Sequence, residues 1–132
     1  MKLKLQTFQI GSPRRSDEGL RLATARFLPR GVKKADYARL DYFDLWLPLL
    51  APSQALVASY KAKKDPQPAD FAKFAVRYRK EMSAPDPRHV IALLAEIAKS
   101  RPIAIGCYCP DERFCHRSVL HELIAAAARH EK

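Results

Sequence analysis

A chain of 132 residues with 48% apolar side chains is long enough for one domain with a real core and too apolar for gross disorder. It holds no apolar run near the roughly 20 residues that span a bilayer, and its three cysteines, an odd number, make no disulfide framework. The formal charge of +10 gathers at the start, where residues 1–40 carry ten Lys/Arg and three acids; this excess favours encounters with phosphates and acidic partners and fixes no fold.

Lys2 to Ile10 alternates as a strand does, with Leu3 and Leu5 on one face. Gly11 to Gly19 is polar and punctuated at both ends, a loop. Leu20 to Phe27 reads as a second strand, closed by Pro29-Arg30-Gly31. Residues 36–51 are densely apolar, but Pro48 and Pro52 break any long helix, so a short extended piece is expected there, with Trp46 as a core anchor. Ser53 can cap a helix reaching about Tyr60, and Lys61 to Pro68 is an exposed break. Phe71, Phe74, Tyr78 and Met82 recur at helical spacing. Asp86-Pro87 signals the start of another helix, whose inner face would be Val90, Leu93, Leu94 and Ile97. An apolar run between Pro102 and Pro110 reads as a buried strand of residues 102–109. The last helix, from near Cys115, would bury Val119, Leu120, Leu123, Ile124 and Ala127. The expected architecture is one α/β domain over residues 1–132: three layers, with a mostly parallel sheet flanked by helices.

The chemistry gathers at the crossing from that last strand into the last helix. Cys107, Cys109 and Cys115 lie there with His116, Arg113 and Arg117. In open α/β sheets, ligands bind where a strand's carboxyl end faces a helix amino terminus. The residues permit several readings. Cys115 near a helix start, beside His116 and two arginines, is a candidate nucleophile with His116 as general acid/base. Arg113 and Arg117, joined by Arg30 from the Pro-Arg-Gly turn, could hold a phosphate or carboxylate. Cys107, Cys109, Cys115 and His116 offer zinc-type donors, though neighbours on a helix point about 100° apart, which disfavours a shared ion for Cys115 and His116. Cys107 and Cys109 can also be small core hydrophobes. His89 and His121 read as surface residues, and Lys61, Lys63 and Lys64 as a solvated face.

Arg26-Phe27-Leu28-Pro29-Arg30-Gly31-Val32, Asp44 to Ser53, Tyr78 with Glu81 and Met82, and Cys115-His116-Arg117 together resemble family 488 of the domains of unknown function, the YeaO-like proteins. The resemblance spans about Gly19 to Ala126. It implies an α/β domain with its site near the last strand and helix, and it brings no reaction. The family pattern carries an aspartate where Ala25 stands and a tryptophan at Leu28, which leaves Arg26 without a charge partner.

The leading expectation is a pocket for an anionic small molecule, phosphorylated or nucleotide-like, lined by Cys115, His116, Arg117, Arg113 and Arg30. One alternative is a nucleic-acid-binding module using the basic first 40 residues, dependent on Arg14, Arg15, Lys33 and Lys34. Another is a zinc-binding or redox-sensing cysteine protein, with zinc or a Cys109–Cys115 disulfide as its mark. The start of the chain has no apolar signal-peptide core, so a reducing cytoplasm is the expected compartment.

Overall fold

The computed structural model describes residues 2–109 and 111–129. Four strands, β1 (Leu5–Gln9), β2 (Leu20–Ala23), β3 (Leu45–Trp46) and β4 (Ile103–Cys107), form one sheet in the order β1-β4-β2-β3, with every pair parallel. The last strand is therefore central. Ile103 lies between Leu5 and Leu20, and Ile105 between Thr7 and Leu22. Flanked on both sides and covered on both faces, all five residues of β4 are buried, which is why the sequence there is an apolar run without alternation.

The two faces of the sheet are covered differently. Leu5, Leu22, Ile103 and Ile105 pack beneath the helices α1 (Gln54–Lys61), α2 (Pro68–Met82), α3 (Pro85–Ala98) and α4 (His116–Arg129). Phe8, Ala23 and Ala104 face a layer of irregular chain that contributes Ile10, Ala25 and Phe43. The result is three layers around a parallel sheet, with the helices on one side.

The irregular layer exists because β1 and β2 are joined by only ten residues and lie on opposite sides of β4. Parallel strands usually need a longer crossover with a helix to satisfy its own backbone. Here Arg21 performs that task. Its guanidinium is fully buried and donates to the carbonyls of Ser12, Pro13 and Asp41 and to both oxygens of Glu18, so all five of its N–H groups have partners. The same guanidinium lies over the Phe8 ring, 4.3 Å from its centroid. Gly19 closes the connector at φ +74°, and a Cβ there would run into the Pro102 carbonyl.

Helix ends follow local chemistry. Ser53 Oγ accepts from Leu56 N at 3.2 Å and donates to Glu81 at 2.6 Å, so the end of α2 helps to cap α1. Gln67 N donates to Asp70, and Pro68 opens α2 where its missing amide costs nothing. Phe74, Tyr78 and Met82 form its buried face, as their spacing predicts.

Several boundaries differ from the sequence reading. The second strand ends at Ala23, because the chain then turns to deliver Thr24 to Arg26 to the end of the sheet. Strand β4 stops at Cys107, and Pro110 lies outside the described residues. Helix α3 starts at Pro85, which leaves Asp86 in its first turn rather than at the cap. Its inner face is Pro87, Ile91, Leu94, Ala95 and Ala98, one position on from the expected stripe, with Leu93 58% exposed. Trp46 is 37% exposed: the edge strand β3 leaves its ring half outside, and its indole N–H donates to the Ala25 carbonyl at 2.8 Å. His89 is exposed; His121 is half-buried, with Nε2 3.2 Å from the Leu5 carbonyl. Lys61, Lys63 and Lys64 are exposed, and Lys63 pairs with Asp70. No helix among the described residues is long and apolar enough to cross a membrane.

Candidate metal centre

Cys107 ends β4, Cys109 lies two residues on in the loop, and Cys115 immediately precedes α4. Their three Sγ atoms lie within 4.8 Å of one another, a group able to hold a metal ion. The strand delivers Cys107, the loop after it delivers Cys109, and the turn Glu112–Phe114 folds the chain back so that Cys115 faces them.

His116 is not part of that group of three, as the expected divergence of Cys115 and His116 implies, although the two side chains touch. Cys115 stands before the first helical residue, and its Sγ is 3.8 Å from His116 Nδ1. His116 is itself buried. Its Nε2 lies 2.7 Å from the Thr24 carbonyl, which can only accept, so Nε2 carries the proton and the Nδ1 lone pair faces Cys115. Tyr78 packs edge-on against the ring at 5.4 Å, its hydroxyl held by the Leu50 carbonyl. Burial pushes the His116 pKa down to about 4, against the support of the Thr24 bond, so the ring is neutral at pH 7 rather than poised to titrate there.

Among the three thiols, the surroundings favour ionisation of Cys109. Hydrogen bonds from the Cys107 and Cys115 thiols, helped by the Arg117 charge and opposed by burial, draw its pKa down. Cys107 and Cys115 are raised by the same sharing and by burial. Of the three thiols, the half-buried Cys109 is thus the one whose ionisation the cluster favours.

Arg117 lies behind this group. Its Nη1 donates to the carbonyls of Cys109 (2.6 Å) and Cys107 (3.4 Å), which fixes the Cys-Tyr-Cys backbone, while its buried Nε has no partner. Arg113 is exposed and paired with Asp111 at 2.9 Å, and Arg30 is exposed on its turn; neither lines the cavity beside the thiols. That cavity, of about 130 Å³, is walled by Phe27, Tyr60, Phe74, Tyr108 and Phe114, with Arg26 and Lys61 as its cations. Arg26 donates to the carbonyls of Pro52 (3.0 Å) and Ala51 (3.2 Å).

The sequence reading foresaw a possible Cys109–Cys115 approach but missed the role of Thr24 and Arg26 as a cation of the cavity. The available signal was the Arg26 motif itself, an arginine at the end of a strand neighbouring β4. In the basic first 40 residues, Arg14 pairs with Asp44 (2.9 Å) and Asp41 (3.6 Å), and Arg15 with Glu18 (2.7 Å). Two of the four cations expected to serve nucleic acid thus have partners within the fold.

Compared with known families, residues 5–128 match the model described as the active DUF488-N3 subclade. The chain belongs to the DUF488 family. Within that family, YeaO of Escherichia coli (strain K12) is 27% identical over 103 residues, covering 78% of this chain and 81% of the relative. No solved structure matches. Of the chain's Cys-His-Arg motif, Cys115 belongs to the thiol cluster, His116 touches Cys115, and Arg117 bonds the carbonyls of Cys107 and Cys109.

Proposed function

We propose that this DUF488 protein is a zinc–thiolate protein, in which Cys107, Cys109 and Cys115 hold the ion and His116 Nδ1 stands beside them. The convergence of three Sγ atoms within 4.8 Å carries this reading. Tetrahedral zinc at about 2.3 Å from each sulfur would set the sulfurs about 3.8 Å apart, so modest contraction suffices. Thr24 supports the reading: its carbonyl fixes the His116 tautomer that presents a lone pair, the usual outer-shell arrangement of a metal-binding histidine. Charge supports it too. A divalent ion with three thiolates has a net charge of −1, and Arg117 supplies the compensating cation. A thiol centre of this kind suits a reducing compartment, and we place the protein in the cytoplasm.

Native mass spectrometry and elemental analysis of the reduced protein test the proposal. The expected result is one zinc per chain, lost in Cys109→Ser and Cys115→Ser. Three freely titrating thiols and no bound metal after zinc loading would overturn it.

A second reading is favoured by the half-exposed Cys109, whose ionisation is favoured, beside two thiols. Peroxide would oxidise Cys109 to a sulfenic acid as its O–O bond breaks and one water forms; Cys115 Sγ would then bond to Cys109 Sγ, its proton leaving with the sulfenic hydroxyl as a second water. A Cys109–Cys115 disulfide formed by metal-free protein, found by peptide mapping, is the mark of this redox role. The original anion pocket fares less well, because Arg30 and Arg113 lie outside the cavity and the Arg117 Nη1 is committed to backbone carbonyls.

A further inference from the structure

The cavity beside the thiols has a ligand chemistry of its own. Its volume of about 130 Å³ is close to that of engineered cavities, about 150 Å³, that hold a single benzene ring. Most of its wall is apolar, and Phe27, Tyr60, Phe74 and Phe114 offer ring faces and edges. Among the described residues, its lining includes two cations, Arg26 and Lys61, and no carboxylate. Arg26 is half-buried and held by Pro52 and Ala51 through Nε and Nη2; among the described residues no carboxylate pairs with it. A guanidinium anchored on one edge and facing an apolar space is built to receive a carboxylate.

We infer that this cavity binds a small monocarboxylate carrying one ring, of the size of benzoate, with its carboxylate on Arg26 and its ring among the aromatic walls beside Cys109. A phosphate, polar on every side, would leave the apolar walls without a partner. A neutral ring would leave Arg26 without a counter-charge in a half-buried place. The inference rests on the position of the thiol centre given above, not on that centre holding zinc.

The test is a titration of the reduced protein with benzoate, followed by ¹H–¹⁵N spectra and by fluorescence of Trp46, whose indole bonds the cavity residue Ala25. Saturable benzoate binding is expected, at least about tenfold tighter than binding of neutral, isosteric benzamide, with that preference abolished in Arg26→Gln. Because Arg26 also holds two carbonyls, Val57→Phe serves as a second variant: it fills the cavity from α1 and should abolish benzoate binding with the fold intact. Equal binding of benzoate and benzamide, no saturation by benzoate, or unchanged binding in Val57→Phe would overturn the inference. Zinc content measured on the same samples keeps the two proposals separate, since Arg26→Gln and Val57→Phe leave the three cysteines in place.

Discussion

Arg21 and Arg117 are both buried, and the chain treats them in opposite ways. Arg21 has a carboxylate, three carbonyls and an aromatic face, and all its donors are satisfied. Arg117 has two carbonyls, an orphaned Nε and, among the described residues, no carboxylate ion pair. A closed network of the first kind is architecture: it satisfies a connector too short for a helix. An open one of the second kind leaves positive charge available to whatever negative species gathers beside it, here the thiols. Buried charge therefore marks a site when its compensation is incomplete, not merely when it is buried.

The contrast can be broken most forcefully at Arg21. Arg21→Ala strands Glu18 in the interior and should cost about 3–5 kcal/mol in urea unfolding; a loss below about 1 kcal/mol would show that the network is not structural. Acid attacks the same network. Burial alone would raise Glu18, but hydrogen bonds from Arg21 and Arg15 outweigh it and hold the pKa at about 2. A depressed carboxylate stabilises the fold above its unfolded pKa of about 4.5 and loses that contribution as pH falls toward 2, roughly 3 kcal/mol in all. Glu18→Gln should flatten that part of the stability–pH curve.

Arg117→Gln probes the open side. With no carboxylate left stranded, it should destabilise the apo fold less than Arg21→Ala does, while zinc affinity, read by chelator competition, falls about 10–100-fold. Equal stability losses at the two arginines would erase the distinction. Ser53→Ala, outside both clusters, sets the scale of an ordinary polar contact at about 1 kcal/mol. A loss of several kcal/mol there would mean that the Glu81 link matters more than capping.

The parallel α/β fold and the crossing where the three cysteines gather were legible in the sequence because both rest on local signals. The apolar run before Cys107 could only be a buried strand, and the cysteines bracket the turn into the next helix. Ser53 and the Phe74–Tyr78–Met82 spacing carry their own geometry. What was hidden depends on partners distant in sequence. Trp46 belongs half outside only because β3 is a two-residue edge. The α3 stripe shifts because Pro85, not Pro87, opens the helix. Cys115 and His116 meet because one stands before the helix and the other begins it. Arg21 on an otherwise apolar strand was the visible clue to the buried network, but its partners span Ser12 to Asp41.

The central position of β4 has a temporal meaning. Strands β1 and β2 share no ladder with each other, so the sheet stays split until residues 103–107 arrive to zip both edges at once. Thr24, Arg26 and the three cysteines come together in that same closing step. A nascent chain halted before β4 thus has neither a finished sheet nor converged thiols, and metal capture at this centre would report that the domain has been completed.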